Sequence, residues 1–294
     1  MSRLKATKPV IKKNRLKLFL YGDAKVGKTT LALSFPKAYI IDTEQTTDKK
    51  KYVNLINKNE GQVFETQNFD DLIDQVQALL TEKHDYKTLV IDSLTNLYGD
   101  LVDKSEMKVG STAFGKHTYE AAKQMKRLFN LLYRLDMNVI ITSHAKDKYI
   151  MGKDSNGRPE MTHAGTTFDC FKKLDYLFDL ILEIVRRADQ RIVIVRGTRL
   201  DEFVENETFQ NNYDEFSSRY DKEIMEKESV AQVFATPEQL KKLKTLFEAL
   251  DVSEKSKSAW LVQLKAGAFD EASEEGVQKL LDKLTEKLNE KLAA

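Results

Sequence analysis

Apolar residues recur along this chain in two rhythms. Short runs, Leu16-Lys17-Leu18-Phe19-Leu20-Tyr21, Ala38-Tyr39-Ile40-Ile41, Thr88-Leu89-Val90-Ile91 and Val139-Ile140-Ile141-Thr142, have the length and side-chain type of buried strands. Between them the spacing becomes helical. Leu72, Ile73, Val76, Leu79 and Leu80 share one face of a helix predicted over 70–82. Helices are also predicted over 47–58 and 119–135, a first helix opens at Thr29-Thr30-Leu31, and Val63-Phe64 reads as a short strand. Apolar strands separated by helices predict a mostly parallel sheet with helices on both faces, an α/β fold.

Two later stretches depart from that rhythm. Residues 176–185 and 191–195 read as strands separated by Arg186-Arg187-Ala188-Asp189-Gln190, which predicts an antiparallel hairpin at one edge of the sheet. Thr236-Pro237-Glu238-Gln239 then opens a Lys-, Glu- and Leu-rich region. Thr236 is placed as N-cap, Pro237 at the first helical position and Gln239 to close a capping box. Helices are predicted around 240–250, 256–265 and 274–288, with Trp260, Leu261 and Leu264 building the core of a small all-α domain. The expected organisation is a basic arm over 1–15, an α/β core over 16–232 and a helical auxiliary domain over 236–294.

Composition narrows the options. The chain is 41% apolar and 32% charged with a net charge of +1, so any surface for a polyanion must be local. A single cysteine, Cys170, excludes a disulfide framework and a cysteine-rich zinc site. No apolar run approaches the about 18 residues of a membrane span. The N-terminus lacks the apolar core of a signal peptide, so a cytoplasmic protein without membrane contact is expected. Arg3, Lys5, Lys8, Lys12, Lys13, Arg15 and Lys17 precede the first acid, Asp23. Such an arm suits phosphates, or is a solvated, frayed terminus.

The chemistry concentrates at the ends of the apolar runs. After the first comes Gly22-Asp23-Ala24-Lys25-Val26-Gly27-Lys28-Thr29, followed by Thr30, a complete G-x-x-x-x-G-K-[ST] phosphate-binding loop between a strand and a helix. Its glycines let backbone N–H groups wrap a β-phosphate, and the helix N-terminus adds positive dipole. Lys28 reaches the β- and γ-phosphates of a bound nucleotide, and the Thr29 hydroxyl ligates Mg²⁺. Asp92 ends the third run, where an acid holds the Mg²⁺ shell. The position directly after it is Ser93, so a general base must come from elsewhere. Glu44, two residues beyond Asp42, ends the second run and is the candidate to deprotonate the attacking water, with Asp42 as substitute. Thr142-Ser143-His144 ends the fourth run, and His144 can donate to a phosphate oxygen without being charged.

These four motifs, in this order and spacing, resemble the RecA-type core. More narrowly, the chain is similar to the small phage RecA-core ATPases, among them the Sak-type single-strand annealing proteins and phage AAA-family nucleotide-binding proteins. The resemblance covers roughly residues 14–210. It implies a RecA-like P-loop NTPase core that binds and hydrolyses ATP with Mg²⁺, and so controls single-stranded DNA binding or annealing in phage recombination or replication, in the host cytoplasm. It implies a homo-oligomer, ring or filament, although only some 15 residues precede the core, where RecA itself carries an oligomerisation helix and strand. Two DNA-contacting loops are implied, one over 103–116 with Lys104, Lys108 and Lys116 near Gly110 and Gly115. The other spans 145–168 with Lys146, Lys148, Lys153, Arg158 and His163, where Tyr149 or Phe168 stacks on bases or anchors the loop. Arg196 and Arg199, late in the hairpin, are implied to reach a neighbour's γ-phosphate. The C-terminal helices would dock a single-strand-binding or replication protein. Two other function classes stay open: a replication-accessory motor such as a helicase or helicase loader, and an ATP-switched protein-binding module that never touches DNA.

Overall fold

The computed structural model describes residues 8–11, 14–109, 116–153 and 157–293. Arg3, Lys5, Lys12 and Lys13 of the arm, Gly110 and Gly115 of the first expected loop, and the side chains of Lys116 and Lys153 lie outside the described residues.

The fully buried β1 (Lys17–Gly22) leads into the phosphate loop and α1 (Lys28–Ala32). The chain continues through β2 (Ala38–Asp42), α2 (Lys50–Lys58), β3 (Gln62–Glu65), α3 (Phe69–Thr81), β4 (Thr88–Asp92), α4 (Leu94–Val109) and α5 (Lys116–Arg134). It then forms β5 (Asn138–Lys153), β6 (Pro159–Phe168), β7 (Leu180–Arg187), β8 (Gln190–Thr198), β9 (Thr208–Gln210), α6 (Tyr213–Arg219) and α7 (Lys222–Glu226). The sheet runs β3-β2-β4-β5-β1-β7-β8-β9, with β6 paired to β5. From β3 to β7 neighbours are parallel; β8 and β9 add antiparallel strands at the edge. This is the mixed α/β fold that the apolar runs predict.

Alternation along the strands divides the core between the two faces. Phe19, Tyr21, Ile41, Leu89, Ile91, Val139 and Ile141 point to the face covered by α3, α4 and α5. Leu18, Leu20, Ile40, Val90, Ile140, Leu182 and Ile184 point to the face covered by α1, α2 and the 213–225 region. Each such buried aliphatic contributes about 1.5–3 kcal/mol relative to exposure, so the strand register is strongly fixed.

Four expectations change. Residues 103–109 form the end of α4, not a loop, because Leu94, Leu97 and Leu101 repeat at helical spacing and are buried. Lys104 and Lys108 therefore ride on a helix. Residues 145–168 are not a weakly patterned loop either. β5 continues past the sheet and pairs with β6 from Ala145↔Phe168 to Lys153↔Pro159, so a cross-strand ladder satisfies their backbone. Third, α1 is a helix of five residues, too short for much macrodipole. Fourth, in the C-terminal helices α8 (Pro237–Ala249), α9 (Glu254–Leu264) and α10 (Glu274–Ala293), the buried residues Leu243, Phe247, Val277, Leu280, Leu281 and Leu284 come from α8 and α10. Trp260, Leu261 and Leu264 only border that cluster, because α9 buries none of its residues. The capping box at Thr236 and Gln239 is present.

A buried carboxylate joins these helices to the core. Glu271, 1% exposed, accepts from Arg127 Nε of α5 at 2.5 Å, Gln77 Nε2 of α3 at 3.0 Å and its local Gly267 N at 3.1 Å. Arg134 of α5 donates to the Glu271 carbonyl and lies 4.8 Å over the Phe234 ring. No helix among the described residues is long and apolar enough to cross a membrane.

Lys17, at the foot of β1, is buried and donates to the carbonyls of Leu135 and Met137 at 3.1 and 3.0 Å. Burial pulls its pKa from 10.5 down to about 7, against the attraction of Asp179 and Asp136. Between these two values the unfolded chain binds more protons than the folded one, so this group makes stability rise with pH there. Below about 7 the cost of burying the charged amine is fully present. We therefore expect the thermal midpoint of the wild type to gain on that of Lys17→Met between pH 7 and 9, within the window set by the shift. Parallel pH profiles for the two proteins would remove Lys17 as the cause.

Candidate functional site

Strand register assembles the site. β1 lies against β5 with Gly22 opposite His144, and β2 lies against β4 with Asp42 opposite Asp92. All four motifs thus end on one rim of the sheet, around a cavity of about 640 Å³.

The phosphate loop needs its glycines for space. A Cβ on Gly22 would sit 2.3 Å from the Ile184 carbonyl oxygen, and Gly27 has φ of 108°. Lys28 Nζ braces the loop by donating to the carbonyls of Gly22 and Asp23 at 2.9 and 2.8 Å. Burial lowers its pKa, opposed by the charges of Asp92, Glu44 and Asp23. Asp92 is 4% exposed, and its carboxylate accepts hydrogen bonds from the hydroxyls of Thr142 and Thr29. Burial pushes its pKa up, the two hydroxyls pull it down, and Glu44 and Asp42 push it up again. A threonine hydroxyl touching a carboxylate beside a phosphate loop is an all-oxygen donor pair. It suits Mg²⁺, which takes few protein ligands and completes its shell with phosphate oxygens and water. Among the described residues no group of His, Cys, Asp and Glu forms a separate metal cage.

Glu44 and His144 meet across the cavity, with Glu44 Oε1 2.6 Å from His144 Nε2. Asp42 cannot stand in for Glu44, which corrects the expectation for it. It is fully buried and accepts from the amides of Glu44, Thr46 and Thr47 and from Thr47 Oγ1, between 2.7 and 3.0 Å. Its task is to shape the turn that presents Glu44. The Thr43 hydroxyl, receiving Ser93 N at 2.9 Å and donating to Ser93 O at 3.0 Å, ties that turn to the end of β4. His144 is fixed through its main chain, its N donating to Thr95 Oγ1 at 3.0 Å and its carbonyl receiving Asp169 N at 2.8 Å.

The remaining expected residues spread out. Asp23, Ala24, Lys25, Gly27, Thr29 and Thr30 line the cavity, and Val26 turns into the core. Arg196 is held by its own chain: Nε donates to Glu183 Oε2 at 2.7 Å, and the Thr166 hydroxyl donates to the other oxygen of that buried carboxylate. Arg199 lies at the opposite rim. Its N donates to Asp179 O, whose own N donates to Lys17 O at the start of β1. Lys104 donates to Asn68 Oδ1 at 2.7 Å and pairs with Asp100 at 2.9 Å, while Lys108 is exposed further along α4. Lys146 pairs with Asp169 at 2.8 Å, and Lys148 and Arg158 are exposed on the β5–β6 ribbon that Lys153 ends.

Five lining residues were missed: Thr46, Lys49, Lys51, Tyr52 and Arg191. Arg191 had a readable signal. A strand hairpinned to β7, which parallels β1, must begin at the phosphate-loop rim and end away from it. The first arginine of β8 therefore faces the site, whereas the later ones do not.

Two substitutions test the site. Lys28→Ala is expected to abolish nucleotide binding or turnover. Glu44→Gln is expected to keep nucleotide binding, read with a fluorescent ATP analogue, and to cut hydrolysis by about a hundredfold or more. Turnover equal to wild type in Glu44→Gln would remove Glu44 from the role of base.

No curated protein matches the chain. A family model described as an AAA domain does match, over residues 14–211, a span that holds the phosphate loop, Asp92, His144 and the whole sheet. The chain therefore belongs to this AAA-domain family of P-loop ATPases.

Proposed function

We propose that this ATPase uses a RecA-like site to couple ATP state to its grip on single-stranded DNA, acting in annealing during phage recombination or replication. The observation that carries the reading is the 2.6 Å contact between Glu44 and His144. Glu44 would take a proton from water attacking the γ-phosphate, with Lys28 at the phosphates; Thr29 and Asp92 would hold Mg²⁺, which would supply charge neutralisation there. His144 is its hydrogen-bond partner, and directly beyond His144 β5 leaves the sheet to become the ribbon. When the γ-phosphate departs, the partners of Glu44 and His144 change, and the change is applied at the ribbon's root. The strand order supports the RecA-like reading, because the His144 strand lies between the phosphate-loop strand and the Asp92 strand.

Lys148, Arg158 and His163 give the exposed ribbon cations and hydrogen-bond donors for phosphates. Arg199, half-exposed at the far rim, pairs with Asp179 at 3.7 Å and donates to the Tyr176 carbonyl at 3.1 Å, partners it would exchange for a neighbour's phosphates in a head-to-tail ring or filament. One observation favours a second reading, an ATP-switched protein-binding module. The ribbon exposes Tyr149 (53%), Ile150 (51%), Met151 (69%) and Met161 (64%), an apolar set suited to a protein surface.

Fluorescence anisotropy with a labelled single-stranded oligonucleotide separates the readings. It is run without nucleotide, with ADP and with a non-hydrolysable ATP analogue, over a salt series. The expected result is salt-sensitive binding that depends on the nucleotide, with Lys148→Ala lowering the salt slope by about 0.7. No binding in any state would leave the ATPase standing and favour the protein-binding module.

A further inference from the structure

The Arg191 guanidinium makes no hydrogen bond or ion pair with the described residues, yet it lines the phosphate-loop cavity. Its backbone is fixed: it pairs with Arg186 across the β7–β8 hairpin, and its carbonyl accepts from Asn211 N at 3.1 Å. Its stem crosses Gly27. A Cβ added to Gly27 would lie 3.0 Å from Arg191 Cδ and 3.6 Å from Nε. The missing side chain at Gly27 is thus what leaves Arg191 its path over the loop. Asn211 stands at the same place, its Nδ2 donating to Gly27 O at 3.4 Å and its buried Oδ1 without a donor. On the other flank Lys51, from α2, holds its ammonium 3.3 Å from Thr30 Oγ1.

We propose that Arg191 completes the nucleotide site within its own subunit, its guanidinium gripping the phosphates of a nucleoside di- or triphosphate opposite Lys51. This rests on the nucleotide reading of the cavity. Of the three acids of the cavity, Glu44 and Asp92 belong to the water and metal side and Asp23 to the phosphate loop itself, and Arg191 and Lys51 supply cations on the side of Gly27 and Thr30. A guanidinium is the side chain fitted to this task. Its planar fork makes two parallel bonds to phosphate oxygens, and it keeps its charge at any working pH. Asn211 Oδ1 is an acceptor able to orient one remaining N–H, a positioning role. Arg191 thereby does in cis part of what Arg196, bound to Glu183, is not free to do.

The test uses the full chain and a fluorescent ADP. Arg191→Ala is expected to weaken its binding about tenfold or more, and Arg191→Lys, which keeps the charge without the fork, by less. Displacement of the probe by inorganic tripolyphosphate is expected to weaken in parallel. The thermal midpoint without nucleotide stays at the wild-type value, since the side chain is exposed. Mixing Arg191→Ala with Glu44→Gln subunits is expected to restore no turnover, because each active site then lacks one of the two groups. Unchanged affinity in Arg191→Ala overturns the proposal. Weaker nucleotide binding with unaltered tripolyphosphate displacement overturns it too, by assigning Arg191 to base or sugar. Restored turnover in mixed oligomers overturns the cis assignment. Failure of the wild type to bind the probe overturns the nucleotide reading itself, and the role of Arg191 with it.

Discussion

The register of β1 on β5 and of β2 on β4 decides where the polar groups around the phosphate loop lie. Gly22 stands opposite His144, and Asp42 opposite Asp92. Because side chains alternate along a strand, a slip of one residue would turn Ile41, Leu89, Ile91, Val139 and Ile141 to the opposite face of the sheet. The apolar content of the strands therefore pins the polar residues at their tips. Core packing and site geometry are one constraint seen from the two ends of the same strands.

That rim gathers charge that would be costly to bury in isolation. Asp92 survives nearly sealed from water because two hydroxyls donate to it, and Lys28 because it spans two carbonyls amid three acids. Neither arrangement is an isolated buried charge. Both lie at the phosphate-loop cavity, and each charge is offset there by groups of its own chain. Glu271 shows the same logic in a structural role. A sealed carboxylate with donors from α3, α5 and its own loop fixes the C-terminal helices on the face covered by α3 and α5. Removing one partner of such a pair leaves a buried charge uncompensated, a loss of about 3–5 kcal/mol.

The ribbon continues directly from the strand that ends at the cavity. β5 is a central strand as far as His144 and an exposed arm beyond it, where its pairing with β6 shifts register between Asp147 and Tyr149. Its root is clamped on one side by Thr95 and Asp169 and on the other by Thr166 on Glu183. Glu183 in turn faces Arg196 and lies in register with Tyr21, the residue before the phosphate loop. A displacement at either end meets stiff, hydrogen-bonded material.

The local sequence determined the elements whose signal is local. The phosphate loop needs particular residues at fixed offsets, the strands need continuous apolar runs, and the cap at Thr236 needs three residues in order. Each is legible because its physics spans a few neighbours. The tertiary structure alone decided the rest. Asp42 and Glu44 are both acids after the same strand, and only folding turns one into a buried bracket for its own turn and leaves the other facing the cavity. Arg191, Arg196 and Arg199 share one short stretch of chain, but an antiparallel strand spends them at the phosphate loop, on Glu183 and at the far rim. Residues 145–168 look like a polar loop because a two-stranded arm that leaves even Tyr149, Ile150, Met151 and Met161 exposed needs no buried apolar run to announce it. In each case the deciding partner lies far away in sequence, and no local pattern encodes which one it will be.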